Sequence, residues 1–373
     1  MRRSGKSTLF ELFKNNLREQ GVADEQLIHL NFEDLANYHL RDFLALHEYI
    51  LGRLVANKQS YVFLDEIQHV EQFEEAVRSL NLRPDIDLYI TGSNAYFMSG
   101  DLATLLAGRY IQLEILPLSF KEFCSAPANA DLNPTQAYEL FRVSAFPFLV
   151  GQTQRQQRNE YVRAIYNDIV VKDIVTRHKI TEQRLLERVL QFLMGAIGSE
   201  ISVNKITNTI KSSGVAISNA TIERFVDAFI DGLIVYNVPR YDIKGKKPLE
   251  RLEKYYAVDL GFRELLVPSA VGDEGHILEN IIYLELRRRY TQVYVGRSDK
   301  YEVDFVCLDD QSRPSYYQVA LQTLDEAVLA RELRSLQAIK DHYPKYLITL
   351  DSIGQTRDFQ GIQKRYALDW LLS

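Results

Sequence analysis

Cysteine is nearly missing: two in 373 residues, Cys124 and Cys307, far apart. Two thiols cannot build a disulfide framework or a cysteine-ligated zinc site, and their scarcity suits a reducing compartment, so a cytoplasmic location is expected. No apolar run approaches the about 18 residues of a membrane-crossing helix, so no membrane span is expected. The basic start Met1-Arg2-Arg3 is not followed by an apolar segment, so no signal peptide is expected either. Neither sign of charge dominates: 44 Lys and Arg stand against 50 Asp and Glu, a net charge of -6. Charged residues at 25% and hydrophobic ones at 46% make an ordinary globular balance and argue against disorder. Tryptophan occurs once, but 22 Tyr and 18 Phe bring the aromatics to 11%. At about 150 residues per domain the length suggests two or three domains.

What is present begins at once. Arg2-Arg3-Ser4-Gly5-Lys6-Ser7-Thr8 reads as the second half of a phosphate-binding loop, G-x-x-x-x-G-K-[ST]. Gly5 lets the backbone turn closely, and successive N–H groups of Arg3 to Thr8 then face phosphate oxygens at a helix N-terminus. Lys6 adds a point charge between β- and γ-phosphates, and the Ser7 hydroxyl is a ligand for Mg²⁺. Leu9, Leu12, Phe13 and Leu17 recur at helical spacing behind the loop. The plainer reading of GKST is a helix N-cap.

Tyr61 to Leu64 is an apolar run that fits a strand buried on both faces, and it ends in Asp65-Glu66. Carboxylates at that end lie where ligands bind in open α/β sheets. Asp65 would hold Mg²⁺ through water, and Glu66 would polarise the attacking water as general base. The alternative is a strand ending in a solvated acidic turn. Asp87 to Thr91 reads as another buried strand, followed by Gly92-Ser93-Asn94. Ser93 and Asn94 are candidates to sense the γ-phosphate; a polar turn is the simpler reading. Arg109, in Leu105-Leu106-Ala107-Gly108-Arg109-Tyr110, is either an arginine finger, in cis or in trans, or a surface arginine.

These pieces, in this order, resemble the AAA-like P-loop ATPases of bacteria and archaea that carry a C-terminal domain of unknown function. The resemblance extends through Leu116 to Phe123, Ala145-Phe146-Pro147, Asn167 to Val170, Gly275 to Asn280 and Glu302 to Val306, nearly the whole chain. It implies ATP binding with slow, Mg²⁺-dependent hydrolysis. Two departures stand out. The first loop glycine would fall just before Met1, and Val143-Ser144-Ala145 stands where such proteins tend to show glycines. A P-loop sheet places its first strand centrally, so its absence is expected to expose neighbouring strand edges. The natural reading frame is accordingly expected to start upstream, by about two dozen residues on strand and loop lengths.

Further along, Leu185 to Ala196, Val203 to Lys211 and Ala220 to Asp231 read as helices, the last with Ser218 as N-cap. Leu233 to Val238 and Lys254 to Val258 read as strands. Three helices and a hairpin match a winged helix-turn-helix. Charge is uneven: residues 1–150 carry net -7, residues 151–262 net +4 and residues 263–373 net -3. The connection in the hairpin holds Arg240, Lys244, Lys246, Lys247, Arg251 and Lys254, opposed by Asp242, Glu250 and Glu253, with Gly245 at or near its tip. A basic wing of this kind contacts DNA phosphates, or is the solvated loop of a protein-docking module.

His276 to Arg289 is a helix, followed by strands Gln292–Val295, Glu302–Leu308 and Tyr316–Leu321, a helix over Asp325–Ile339 and a strand over Lys345–Leu350. This order resembles the PD-(D/E)xK restriction-endonuclease-like fold. The resemblance assigns Glu279 to the helix glutamate and Asp304 to the strand aspartate. The third place reads Gln318-Val319-Ala320, with alanine where the lysine belongs. A retained fold with a non-nucleolytic centre follows.

The expected fold class is α/β. The expected domains are a P-loop ATPase core at 1–125, a helical lid or linker at 126–180, a winged helix at 181–262 and an endonuclease-like domain at 263–373. Three functions fit. The first is a Mg²⁺-dependent ATPase coupling nucleotide state to the C-terminal region. The second is a non-hydrolytic, ATP-responsive DNA-binding or adaptor protein. The third is an active nuclease. ATP is the expected ligand, DNA or a protein the expected partner, and a finger acting in trans would require a homo-oligomer.

Overall fold

The computed structural model describes residues 3–92, 109–267, 273–298, 301–352 and 356–373, without the side chains of residues 171, 172 and 250–252. The chain divides into two compact units, residues 1–116 and 117–373.

The first unit alternates helix and strand: α1 (Lys6–Glu19), β1 (Leu27–Asn31), α2 (Phe43–Leu51), β2 (Ser60–Asp65), α3 (Phe73–Leu80) and β3 (Ile86–Ile90). The strands form a parallel sheet in the order β1-β2-β3. Alternation along β2 explains its continuous apolar run. Val62 and Leu64 join Leu46, Ile50, Phe73, Val77 and Leu80 of α2 and α3. Phe63 joins Phe10 and Leu17 of α1, with Phe13 and Tyr89 packed against them. Three rings carry that second layer: Phe63 stacks on Tyr89 at 5.0 Å, and Phe10 meets Phe63 edge-on at 5.2 Å. β2 pairs with β1 on one side and β3 on the other, so among the described residues β1 and β3 are the sheet edges, and residues 87–90 of β3 are only half-buried.

The second unit opens with α4 (Phe120–Ser125), α5 (Pro134–Phe141) and α6 (Arg155–Asn167), which runs on into a π-helical segment, Asp168–Val175. Residues 117–125, the end of the expected ATPase core, pack in this unit. Phe120 and Phe123 are fully buried and meet Phe141 of α5 at 5.3 and 5.6 Å. Buried Arg158 of α6 donates to four carbonyls, those of Leu149, Gln152, Leu140 and Ser144, at 2.9–3.1 Å. Ala145 N–H donates to Asp259 Oδ2 at 2.8 Å. These bonds hold the Val143–Phe146 turn in place without the glycines expected there.

Next come α7 (Gln183–Gly195), β4 (Glu200–Ile201), α8 (Val203–Ser212), α9 (Asn219–Asp231), β5 (Val235–Asp242), β6 (Lys247–Ala257) and α10 (Leu260–Leu266). Ser218 caps α9 by accepting from Thr221 N–H at 3.2 Å. Then follow α11 (Glu274–Arg289), β7 (Gln292–Ser298), β8 (Tyr301–Leu308), β9 (Pro314–Ala320), α12 (Glu326–Gln337), β10 (Lys345–Thr349), β11 (Arg357–Phe359), β12 (Ile362–Tyr366) and α13 (Ala367–Leu372). The last two strands and α13 were missed from sequence.

Among the described residues, one nine-stranded sheet takes up every strand of this unit, in the order β11-β12-β10-β9-β8-β7-β5-β6-β4. The hairpin β5–β6 therefore shares a sheet with β7 to β12 across residues 262 and 263, where a domain boundary was expected. Parallel pairing of Arg240–Asp242 with Val295–Arg297 makes the junction. Fully buried Asn280 of α11 makes another. Its Oδ1 accepts from Ala257 N–H at 2.7 Å, and its Nδ2 donates to Ala257 carbonyl at 2.9 Å. An amide is the side chain whose donor and acceptor match a strand-edge peptide. Asn280→Ala leaves both peptide groups buried and unpaired, and should cost about 3 kcal/mol. The urea-unfolding midpoint of the full chain will measure it.

Candidate nucleotide site and a second carboxylate centre

The first candidate site lies at the C-terminal ends of β2 and β3, beside the N-terminus of α1. Gly5 caps α1 with φ 96°, a left-handed conformation, and no side chain caps the first turn. With glycine at the cap position, the first turn has no side-chain cap of its own, and the N-terminus of a helix suits an anion. Ser7 and Thr8 are exposed on that turn, Arg3 is exposed, and Ser4 is buried. Lys6 Nζ donates to the Gly92 carbonyl at 2.6 Å and lies 3.9 Å from Glu66 Oε1.

Asp65 is buried at the end of β2. Its Oδ1 accepts from the Thr91 hydroxyl, while Oδ2 has no hydrogen-bond partner among the described residues. A buried carboxylate oxygen left unmatched fits a hydrated Mg²⁺. Glu66 sits in the left-handed region at φ 54°. This is an uncommon backbone for a non-glycine residue, of the kind that collects at functional sites. Its N–H donates to Thr91 Oγ1 at 3.3 Å, and Gln68 Nε2 donates to its Oε2 at 2.5 Å. Thr91 thus bridges both carboxylate residues. Sequence reading passed over it as the last residue of a strand. Its signal was a hydroxyl at a sheet end directly beside the acidic pair.

The remaining candidates are less joined. Ser93 and Asn94 lie outside the described residues. Arg109 is exposed; its carbonyl accepts from Asn81 Nδ2 at 3.4 Å, and among the described residues no contact ties its guanidinium to Lys6, Asp65 or Glu66. Lys244, Lys246 and Lys247 are exposed on the β5–β6 turn, where Lys246, not Gly245, takes the left-handed conformation at φ 50°. The side chain of Arg251 lies outside the described ones. On α9, Glu223, Arg224 and Asp227 face solvent, a mixed and mainly acidic surface. Burial first, then the neighbouring charges of Asp231, Glu223 and Glu253, push the Asp227 carboxyl up.

A second centre forms where α11, β6 and β8 meet. Glu279 and Asp304 come together there, as expected, but around a lysine from β6. Lys254 Nζ lies 2.9 Å from Glu279 Oε1, 2.8 Å from Glu302 Oε1 and 3.9 Å from Asp304 Oδ1. Tyr256 donates to Glu279 Oε1 at 2.6 Å, and His276 Nδ1 is 3.7 Å from Glu279 Oε2. Burial tends to raise the Glu279 carboxyl, but Lys254, His276 and Tyr256 outweigh it and hold it below its usual value. Burial, with Glu279 beside it, pushes Asp304 well above the usual carboxylate range. Gln318 is turned to α12, donating to Glu332 Oε2 at 3.0 Å and accepting from the Ser335 hydroxyl at 3.1 Å. From sequence, Lys254 reads as the start of the second hairpin strand and as one of the basic residues of the connection, not as a buried cation. Its signal was alternation: on a strand, Lys254 shares a face with Tyr256. Among the described residues, no group of three or more His, Cys, Asp or Glu side chains is arranged to hold a metal ion. No described helix is long and apolar enough to cross a membrane.

Residues 1–124 match the family model described as an AAA domain, and residues 135–269 match a domain of unknown function, DUF8612. Sheet, loop and match define the N-terminal part as an AAA-like P-loop ATPase domain. An uncharacterized protein of Haemophilus influenzae is 35% identical over 377 residues, covering 100% of this chain and 92% of that one. An uncharacterized protein of Methanocaldococcus jannaschii is 30% identical over 363 residues, covering 91% of this chain and 78% of that one. This chain belongs to the family those proteins form. A solved structure, the Walker-type ATPase of Pyrococcus abyssi, aligns with 12% identity and a TM-score of 0.47 over 71% of this chain and 89% of that one.

Thr91→Val keeps the shape and removes the hydroxyl that orients Asp65 and Glu66. Losing a hydrogen bond to a charged group should slow ATP turnover by about 10- to 100-fold. Steady-state phosphate release should show the loss in kcat, with KM little changed, and Thr91→Ser should restore it.

Proposed function

We propose that the protein is a Mg²⁺-dependent ATPase whose nucleotide state governs its C-terminal region. The observation that carries this reading is the convergence of Lys6, Glu66 and the Asp65–Thr91 pair beside the glycine-capped N-terminus of α1. The N–H groups of the loop and Lys6 would bind the phosphate chain, Lys6 leaving Glu66 and the Gly92 carbonyl to do so. Ser7 and Asp65 would hold Mg²⁺, which when bound neutralises charge on the phosphates. Glu66, freed from Lys6, would orient a water and take its proton on the carboxylate as the water attacks. Arg109, exposed, is suited to reach a neighbouring subunit rather than its own site.

Lys6→Ala should abolish phosphate release and weaken ATP binding. Glu66→Gln should still bind ATP and lower kcat by about 100-fold or more, as measured by phosphate release and by retention of labelled ATP. Turnover of Lys6→Ala equal to that of the unaltered protein would overturn the reading.

The C-terminal region we read as a winged helix, α7 to α9 with the hairpin β5–β6, joined to an endonuclease-like fold without nucleolytic activity. Ala320 in place of lysine and the engagement of Gln318 with α12 support its inactivity. A second reading, an ATP-responsive DNA-binding or adaptor protein that does not turn over ATP, is favoured by the three exposed lysines of the wing. The mainly acidic α9 is unsuited to enter a DNA groove, so contact through this wing would be to phosphates and independent of sequence. Replacing Lys244, Lys246 and Lys247 by alanine should then weaken DNA retention and reduce its salt slope by about 2 to 3. Unchanged retention would leave a protein partner for this module.

A further inference from the structure

The PD-(D/E)xK pattern has no lysine on β9, yet the centre has an ammonium. It arrives from β6, the wing strand, four positions away from β9 in the sheet. Lys254 is 4% exposed, and its two close contacts are direct and short, at 2.9 and 2.8 Å. The partners come from two further elements, Glu279 from α11 and Glu302 and Asp304 from β8. Two of these acceptors have further partners: Asp304 Oδ2 takes Val319 N–H at 2.7 Å, and Glu279 Oε1 also takes the Tyr256 hydroxyl. A turn closes the side. Gly198, at φ 72°, comes so near that a Cβ there would lie 2.8 Å from His276 Nδ1 and 3.3 Å from Glu279 Oε2.

Charge balance then decides what the centre can hold. Burial and the neighbouring Glu279 push the Asp304 carboxyl well above its usual range, and its Oδ2 is already held by Val319 N–H. Lys254 offsets Glu279, and Glu302 is partly solvated, with 31% of its side chain exposed. A divalent ion entering here would have to expel the ammonium from Glu279 and Glu302 and displace the Tyr256 hydroxyl from Glu279.

We propose that Lys254 is the resident cation of this centre: its ammonium stands where a divalent ion would otherwise bind, and the centre is a metal-free joint fastening β6 to α11 and β8. The inference is independent of the ATPase reading, because it concerns only residues of the second unit.

The test uses the full chain as unaltered protein, Asp304→Asn, Lys254→Met and the double variant, with thermal unfolding in millimolar MnCl₂. Lys254→Met strands buried carboxylates and should lower Tm by about 10 °C. Mn²⁺ should restore part of that loss, and the restoration should vanish in the double variant. The unaltered protein and Asp304→Asn should respond to Mn²⁺ alike, so that any effect at the nucleotide site cancels. Stabilisation by Mn²⁺ that Asp304→Asn abolishes in the presence of Lys254 would overturn the proposal. So would Mn²⁺-dependent plasmid nicking lost on Asp304→Asn, or a folded Lys254→Met that gains no Mn²⁺ response. Should Lys254→Met not fold, the pair with Lys254 intact decides alone.

Discussion

Burying one ammonium is the constraint around which the second unit is arranged. A charge in low dielectric is tolerable only when it is paired and hydrogen-bonded. Lys254 meets that demand by drawing carboxylates from α11 and β8 to a strand of the wing hairpin. Tyr256, two residues on, adds its hydroxyl to the same carboxylate and stacks on Tyr283 of α11 at 4.5 Å. Asn280, next to Glu279, pairs with the backbone of Ala257. Two consecutive residues of one helix thus hold one strand by its charge and by its peptide groups. The hairpin β5–β6 and the strands β7 to β12 accordingly form a single sheet.

The first unit uses charge differently. Lys6, Asp65 and Glu66 also stand close, at the ends of buried strands, but the cluster is left incomplete. Among the described residues Asp65 keeps an unmatched oxygen, Glu66 has a left-handed backbone, and the Gly5 cap of α1 supplies no side-chain bond. Each is a small cost that a ligand can recover. Thr91 limits the disorder this would allow, because one hydroxyl serves both acidic residues.

Much of this could be read in the sequence, and what could not has a physical cause. Periodicity marked α1, β2, β3 and the helices α7 to α9, because each buries a stripe or a face that repeats along the chain. Phosphate chemistry marked Gly5, Lys6, Asp65 and Glu66, because it permits few residue types. The short β11, β12 and α13 offered too few residues for a period to show. The single sheet was hidden because pairing between β5 and β7 is a non-local match of three residues. Asn280 and Gly198 act through tertiary contacts that no window of sequence contains. Lys254 was visible as a charge but not as a buried one, since strand alternation gives the face and not what covers it.

The two lysine centres also show how similar side chains reach opposite ends. Lys6 sits on a helix whose glycine cap supplies no side-chain bond, and a bound phosphate could repay its loss of Glu66 and Gly92. Lys254 has no such replacement at hand: its partners are carboxylates whose own burial requires it, and Tyr256 and Gly198 close the remaining approach. Exchange of partners is therefore open to the first and closed to the second. An ammonium that can be handed from protein to ligand serves turnover, whereas one that cannot serves to hold strands together. On the proposed reading, the first lysine is placed for exchange with a ligand and the second for fastening β6 to α11 and β8.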